Sequence, residues 1–343
     1  MPPETTDESV RLELARRALT AYDLPEPVAV RLHGSGLNTV FHVTANGRSY
    51  ALRLHRPGYR TTAQIRSELQ FVRYVAEQWT DEPLLDVPCP VLDRSGELVV
   101  TTGDPAVRCD LTTWVDGDVL VPGQGLTADT VGRLGQALAS LHNLAARYRT
   151  PSGFDLPSWD SDGMFVTSPY RPEIAIADLL GQRDLDLYEE IADRTRTIFA
   201  ALDADGRGII HGDYILGNCY LQPAGSEWRV AVFDFDDCGW GYFLYDLCPL
   251  LGNLAGYPGA VPDNPDYPML RDALLAGYRT TRPLPVDLEQ HLPTLMAARN
   301  ANHCLLTARY DVSPTPVEDA AWRMRLARQC LRLEGRGLVG DSG

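Results

Sequence analysis

Gly208-Ile209-Ile210-His211-Gly212-Asp213-Tyr214-Ile215-Leu216-Gly217-Asn218, followed further on by Asp234-Phe235-Asp236-Asp237, is the stretch from which this 343-residue chain is read. The apolar run Gly208–Ile210 predicts a short buried strand that delivers His211 to a loop. Asp213 falls on that loop. Gly217 permits a tight turn that folds Asn218 back toward it before Cys219-Tyr220-Leu221 begins another strand. Trp228-Arg229-Val230-Ala231-Val232-Phe233 is rich in β-branched and aromatic residues and predicts a strand ending at Asp234, so a hairpin sets Asp234 beside Asn218. A carboxylate to take a hydroxyl proton, with an amide oxygen and a second carboxylate to hold magnesium, is the set that phosphoryl transfer to an alcohol requires. Asp213 is the candidate base, and Asn218 and Asp234 are the candidate metal ligands. The plainer alternative is that each Asp caps a turn. His211 has no second His or Cys at metal-binding spacing, so it is read as an orienting or packing residue and not as a zinc ligand.

The segment from Asp234 to Leu247, DFDDCGWGYFLYDL, together with His211, Asp213 and Asn218, resembles the aminoglycoside phosphotransferase and choline kinase superfamily. Within it the likeness is strongest to the branch of type II homoserine kinase, hydroxylysine kinase and the stress-response kinases. The resemblance covers nearly the whole chain. It implies an α+β, protein-kinase-like two-lobed fold: a small lobe of antiparallel sheet plus helix, and a larger, mostly helical lobe. It also implies Asp213 as catalytic base, Asn218 and Asp234 as Mg2+ ligands, and Asp246 with a Gly239-Trp240-Gly241 turn as support beneath the site. Asp236 and Asp237 are left between water-mediated metal contact and capping of a helix near Phe243.

Upstream, Val28–Leu32 predicts a strand, and His33-Gly34-Ser35-Gly36-Leu37-Asn38 a glycine-containing turn. Backbone amides at Ser35 and Gly36 are candidates to approach phosphates, although the glycines taken alone read first as a hairpin turn. Val40–Thr44 and Ser49–Leu54 flank Asn46-Gly47, a strong hairpin signal. By the resemblance, Arg53 stands where the kinase-like family usually carries lysine, and Glu68 stands where a helix offers its partner. Arginine keeps the charge but is longer and planar, so nucleotide geometry is not carried over unchanged. Both residues as ordinary solvated charges is the alternative. By the same resemblance, Trp114 and Val115 fall at the crossover whose backbone would meet the adenine edge. Lobes over 1–115 (nucleotide-binding) and 116–343 (catalytic and acceptor-binding) follow.

All 31 basic residues are arginine. Without a lysine amine the chain has no Walker-type phosphate loop, no Schiff-base chemistry and no Ser-Lys hydrolase site. Through Val115 there are 12 arginines against 15 acids, and beyond it 19 against 31, so most of the net charge of −15 lies in the acceptor half. That field would attract a cationic, amine-bearing acceptor and repel nucleic acid. Seven scattered cysteines without C-x-x-C spacing suit reduced thiols. With a polar start and no apolar run of spanning length, a cytoplasmic protein without membrane attachment is expected.

Helical periodicity predicts helices over 9–21, 62–78, 129–146, 173–180, 185–202, 245–254, 267–278, 288–307 and 316–334, with a linker at 123–126 and a frayed tail after Arg336. His142 is read as a packed helix residue. Leu98–Val100 and Ala106–Cys109 predict further strands. The function expected is transfer of the ATP γ-phosphate, with GTP as the alternative donor, to a hydroxyl of a small amino alcohol or aminoglycoside-like compound. Asp160, Tyr242, Arg299 and Asn300 are candidate acceptor contacts. A protein serine/threonine kinase of the stress-response type and a weakly active nucleotide-binding module are the rivals. Oligomeric state is not encoded legibly.

Overall fold

In the computed structural model, residues 8–78, 84–120, 126–224, 227–256, 264–310 and 313–333 are described. The expected linker at 123–126 falls mostly outside them, as does the tail beyond Arg336. In chain order the elements are α1 (Glu8–Leu19), β1 (Val28–Ser35), β2 (Thr39–Ala45), β3 (Arg48–Leu54), α2 (Thr62–Glu77), β4 (Leu85–Asp86), β5 (Pro90–Val91), β6 (Val100–Thr102), β7 (Val107–Thr113) and β8 (Asp118–Val119). There follow α3 (Ala128–Arg147), α4 (Ser161–Phe165), α5 (Ile176–Leu179), α6 (Gln182–Ala201), β9 (Arg207–Ile210), β10 (Cys219–Ala224), β11 (Glu227–Val232), β12 (Gly239–Tyr242), α7 (Phe243–Asp246), α8 (Cys248–Gly256), α9 (Tyr267–Thr281), α10 (Leu292–His303), α11 (Leu306–Tyr310) and α12 (Pro316–Leu331). They form two compact units, one drawn from residues up to Asp81, Asp86–Asp116 and Arg149–Leu156, the other from Glu82–Leu85, Gly117–Tyr148 and Pro157 onward.

The first unit is built on an antiparallel sheet in the order β1-β2-β3-β7-β5, with β6 paired to β7. Asn46 and Gly47 take φ of +46° and +78°, the left-handed pair that a tight hairpin between β2 and β3 needs. Period-two alternation puts Phe41, Val43, Leu52, Leu54, Cys109 and Leu111 on one face, where they bury against Ala15, Ala18, Leu19 and Tyr22 from α1 and the turn after it. Arg53 and Asp110, each one residue out of phase with that face, are direct cross-strand partners on the other. α2 is started by Thr61, whose hydroxyl accepts from the Gln64 amide while Gln64 reaches back to the Thr61 N–H, both at 3.1 Å. Such a capping box stabilises a helix start by about 1 kcal/mol. β1 runs on to Ser35, and so His33–Ser35 is strand, not turn, as the register slips between Leu32 and Gly34.

In the second unit α3 and α9 pack backbone to backbone. A Cβ on Gly135 would lie 2.1 Å from the Leu274 carbonyl oxygen, and one on Gly277 2.0 Å from that of Gly132. β10 pairs with β8 and β11, and β9 forms a ribbon with β12. The Gly239-Trp240-Gly241 segment is therefore a strand, not the expected turn. The missing side chains allow it: a Cβ at Gly239 would meet the Pro157 carbonyl oxygen at 2.5 Å, and one at Gly241 the Ile210 Cδ1 at 2.5 Å. Because this strand separates Asp236 and Asp237 from α7, and Tyr242 is that helix's N-cap without a side-chain bond, neither Asp caps it. The helix expected over 245–254 is two pieces, α7 and α8. That over 288–307 begins as a 3-10 turn at Val286–His291 before α10, and that over 173–180 shrinks to α5.

Gly277→Ala should destabilise the protein by at least about 1–3 kcal/mol in chemical denaturation, because backbone atoms cannot move aside as a side chain would. Gly252→Ala on α8, where a Cβ meets nothing within 4 Å, should be neutral or stabilising by about 0.4–1 kcal/mol.

Candidate active site

The loop from His211 to Asn218 leaves β9 held by several backbone bonds. Buried Asp246 accepts the amides of His211 at 2.7 Å and Gly212 at 2.8 Å. Gly212 has φ +78°, and a Cβ there would sit 2.3 Å from the Asp237 carbonyl oxygen, so only glycine fits. The Asp213 amide points to His211 Nδ1 at 3.3 Å, and the Tyr214 hydroxyl reaches the Leu134 carbonyl on α3 at 2.9 Å. The Leu216 amide bonds Asn253 Oδ1 on α8 at 2.9 Å.

His211 is an organiser. With Nδ1 accepting, its Nε2 carries the proton and donates to the Phe233 carbonyl at 3.1 Å. Burial lowers its pKa and keeps the ring neutral, against the pull of Asp246 and Asp213. His142, from α3, lies in the layer below: Nε2 meets Asp246 at 3.0 Å and Nδ1 meets the Tyr278 hydroxyl at 2.8 Å. Burial likewise holds this ring below its ordinary pKa. Burial also opposes an ionised Asp246, but its bonds to His142 and the His211 amide keep its carboxyl below the usual carboxylate range.

Asn218 and Asp234 are joined by the hairpin. Cys219 pairs with Val232, and the Phe233 amide continues the ladder to the Asn218 carbonyl at 3.1 Å, so Asp234 follows directly after Asn218's partner. Asp234 adopts φ +64°, a conformation that Asp tolerates better than most residues. Asn218 Nδ2 donates to the Asp213 carbonyl at 2.9 Å and to Asp213 Oδ2 at 3.0 Å, which keeps its side-chain carbonyl oxygen as the atom a cation would meet. One amide oxygen and one carboxylate suit a hard cation such as magnesium, which completes its shell with phosphate oxygens and water. No group of three or more His, Cys, Asp or Glu poised for a metal occurs among the described residues.

Arg299, on α10, pairs with the other Asp213 carboxylate oxygen through Nη2 and donates from Nη1 to the Gly212 carbonyl at 2.8 Å. Burial works against its charge, but Asp213 outweighs it and holds the guanidinium above its ordinary pKa. The other candidate acceptor contacts bond to groups other than Asp213. Asp160 caps α4 and bonds Ser158 and Arg207, Tyr242 donates to the Phe199 carbonyl at 3.0 Å, and Asn300 bonds back to the Met296 carbonyl at 3.0 Å.

In the first unit, Arg53 lies between two carboxylates: Nη2 to Glu68 Oε1 at 2.6 Å and Nε to Asp110 Oδ2 at 2.9 Å. His55 Nε2 lies 2.5 Å from the same Asp110 oxygen. Burial disfavours an ionised Asp110, yet Arg53 and His55 hold its carboxyl below the ordinary range. Asp110 and His55 were missed by sequence reasoning. The register brings Arg53 and Asp110 together, since Leu52 and Leu111 face one core and their neighbours share the opposite face. Some atoms of the other expected nucleotide contacts bond within the unit. The Gly36 amide bonds the Asn38 carbonyl at 2.9 Å, Ser35 Oγ accepts from Arg11 at 2.8 Å, and the Trp114 amide bonds the Ser49 carbonyl at 3.0 Å.

Residues 28–284 match the phosphotransferase enzyme family (APH), and the chain belongs to that family. It is a small-molecule kinase with the α+β, protein-kinase-like fold. It is similar to a homoserine kinase of Methylobacterium radiotolerans, 28% identical over 288 residues that make up 81% of this chain and 79% of that protein. A microcompartment-associated aminopropanol kinase superposes with a TM-score of 0.75 at 26% identity, covering 96% of this chain and all of that one. An amicoumacin kinase, hAmiN, solved with AMP-PNP, Ca2+ and Ami, superposes with a TM-score of 0.73 at 20% identity, over 95% and 94% of the two chains. No helix among the described residues is long and apolar enough to cross a membrane.

Buried neutral histidines tie stability to pH. In the unfolded chain His142 and His303 take up protons near pH 6.5, whereas burial lowers both pKa values in the fold. Their contribution is complete above that value and is lost as pH falls through it toward the folded values, by up to about 1.4 kcal/mol per pH unit for each ring. Denaturation midpoints should therefore fall between pH 7.5 and 5. His303→Gln should flatten that slope.

Proposed function

We propose that this kinase uses Mg-ATP to phosphorylate a hydroxyl of a small amine-bearing alcohol, the class that spans amino alcohols and aminoglycoside-like compounds. The observation that carries the reading is Asp213, held from two sides by Asn218 and Arg299 on a loop fixed to Asp246. The acceptor oxygen forms a bond to the γ-phosphorus as the bond to the β,γ-bridging oxygen breaks, and ADP leaves. The hydroxyl proton passes late to Asp213, whose first task is to orient the alcohol. Asn218 and Asp234 would hold the magnesium, which neutralises phosphate charge when bound. Arg53 meets the α- and β-phosphates, with Glu68 and Asp110 fixing its fork. The acidity of the chain beyond Val115 favours an acceptor carrying an amine. A nucleotide analogue and a divalent cation in hAmiN support the nucleotide and metal requirement.

Purified protein with Mg-ATP should phosphorylate at least one member of a panel of amino alcohols and aminoglycosides, and Asp213→Asn should lower turnover by about 100-fold or more with nucleotide binding retained. Phosphate appearing only on added proteins, or nucleotide binding without any transfer, would sink the reading. Arg53→Ala should raise the KM for nucleotide. Arg53→Lys should restore it only in part, because a single ammonium cannot reproduce the fork that meets Glu68 and Asp110 together.

A further inference from the structure

Arg53 is gripped at two different nitrogens, and strand register is what brings the second grip about. Arg53 lies directly across from Asp110 on β7, and the His55 amide donates to the Arg108 carbonyl at 2.9 Å, one step beyond the Leu54–Cys109 pair. His55 therefore shares the face of Arg53, two residues on, and stands diagonal to Asp110. The side chains of Asp110 and His55 are 1% and 2% exposed, and Asp110 Oδ2 meets both Arg53 Nε at 2.9 Å and His55 Nε2 at 2.5 Å. Asp110 Oδ1 has no hydrogen-bond partner among the described residues, so Arg53 and His55 are the two groups that compensate this buried carboxylate. A buried acid with so few partners is costly to keep. What it adds is geometric. Glu68 at Nη2 fixes one point of the guanidinium. A second carboxylate at Nε fixes the plane as well, and the direction of a planar fork decides which phosphate oxygens it can meet.

We infer that Asp110 and His55 are positioning residues matched to an arginine: Asp110 sets the guanidinium plane through Nε, His55 holds Asp110 in place, and neither serves a lysine at position 53. This rests on the proposed role of Arg53 at the nucleotide phosphates and deepens it. A guanidinium spreads five N–H groups over three nitrogens, so two carboxylates and a phosphate can be met at once. An ammonium has three hydrogens on a single nitrogen. Shared between Glu68 and Asp110, it would be drawn back from the phosphates; bonded to Glu68 alone, it would leave Asp110 with His55 only. Removing the Asp110 charge should therefore harm the arginine enzyme and help the lysine variant, an opposition of sign that a carboxylate serving the fold alone would not produce.

The test is a double-mutant cycle on the full chain, read as the Kd for AMP-PNP with Mg2+ by calorimetry, which needs no acceptor. In the wild-type background Asp110→Asn should weaken binding by about 10-fold or more, and in the Arg53→Lys background the same substitution should strengthen it by about 3-fold or more. His55→Leu should weaken binding by about 5-fold, and His55→Gln, which can still present an N–H to Asp110, should recover most of that loss. Effects of Asp110→Asn that are equal in the two backgrounds overturn the inference, since Asp110 would then act on the fold and not through the arginine. Unaltered binding in both Asp110→Asn and His55→Leu overturns it too. Should Asp110→Asn fail to fold, the comparison of Arg53→Lys with the Arg53→Lys/Asp110→Asn double variant decides together with the two His55 variants: no gain in the first and no rescue in the second overturn the inference. Unchanged binding in Arg53→Ala is a separate outcome, and it defeats the reading of Arg53 on which the inference rests.

Discussion

The buried carboxylate of Asp246 is the constraint on which the candidate site depends. It lies at the end of α7, is fully enclosed, and accepts two consecutive backbone amides from the loop that carries Asp213. Consecutive amides aimed at one carboxylate fix the peptide planes, and Gly212 makes the left-handed step that this demands. His142 and Tyr278 extend the arrangement into the α3/α9 pair, whose backbones meet at glycines. The site's precision is thus inherited from the closest-packed helices of the unit. Removing the Asp246 carboxylate would strand two buried amides and the His142 Nε2 proton at once, a loss larger than that of any one bond.

A second tie runs sideways. His211 holds the Phe233 carbonyl while the Asn218 carbonyl holds the Phe233 amide, so both polar groups of one peptide unit's residue are bound to the loop. Asp234 follows immediately. The candidate metal ligands are therefore placed by backbone bonds rather than by side-chain packing, and their separation is set by strand register.

Much of this was legible in the chain. The ordered set Asp213, Asn218 and Asp234, the Asn46-Gly47 hairpin and the Arg53/Glu68 pairing are all local or motif-borne signals. What escaped was long-range. Asp110 lies 57 residues from Arg53, and nothing in the intervening composition announces the register that makes them partners. Arg299 was noted only by position, and its contact with Asp213 depends on how α10 lies against the loop. The glycines of residues 239–241 suggested a turn, whereas they serve close approach to Pro157 and Ile210. Helix ends at 245–254 and 288–307 misled because apolar periodicity continues through a break that only backbone bonding reveals.

Arg53 has a practical corollary. A guanidinium stays protonated far above neutral pH and is a poor nucleophile, so acyl-transfer reagents that tag kinases through an amine near the nucleotide phosphates find nothing to react with here. Since the chain has no lysine anywhere, amine-directed profiling of a proteome finds no side-chain amine on it, however abundant it is.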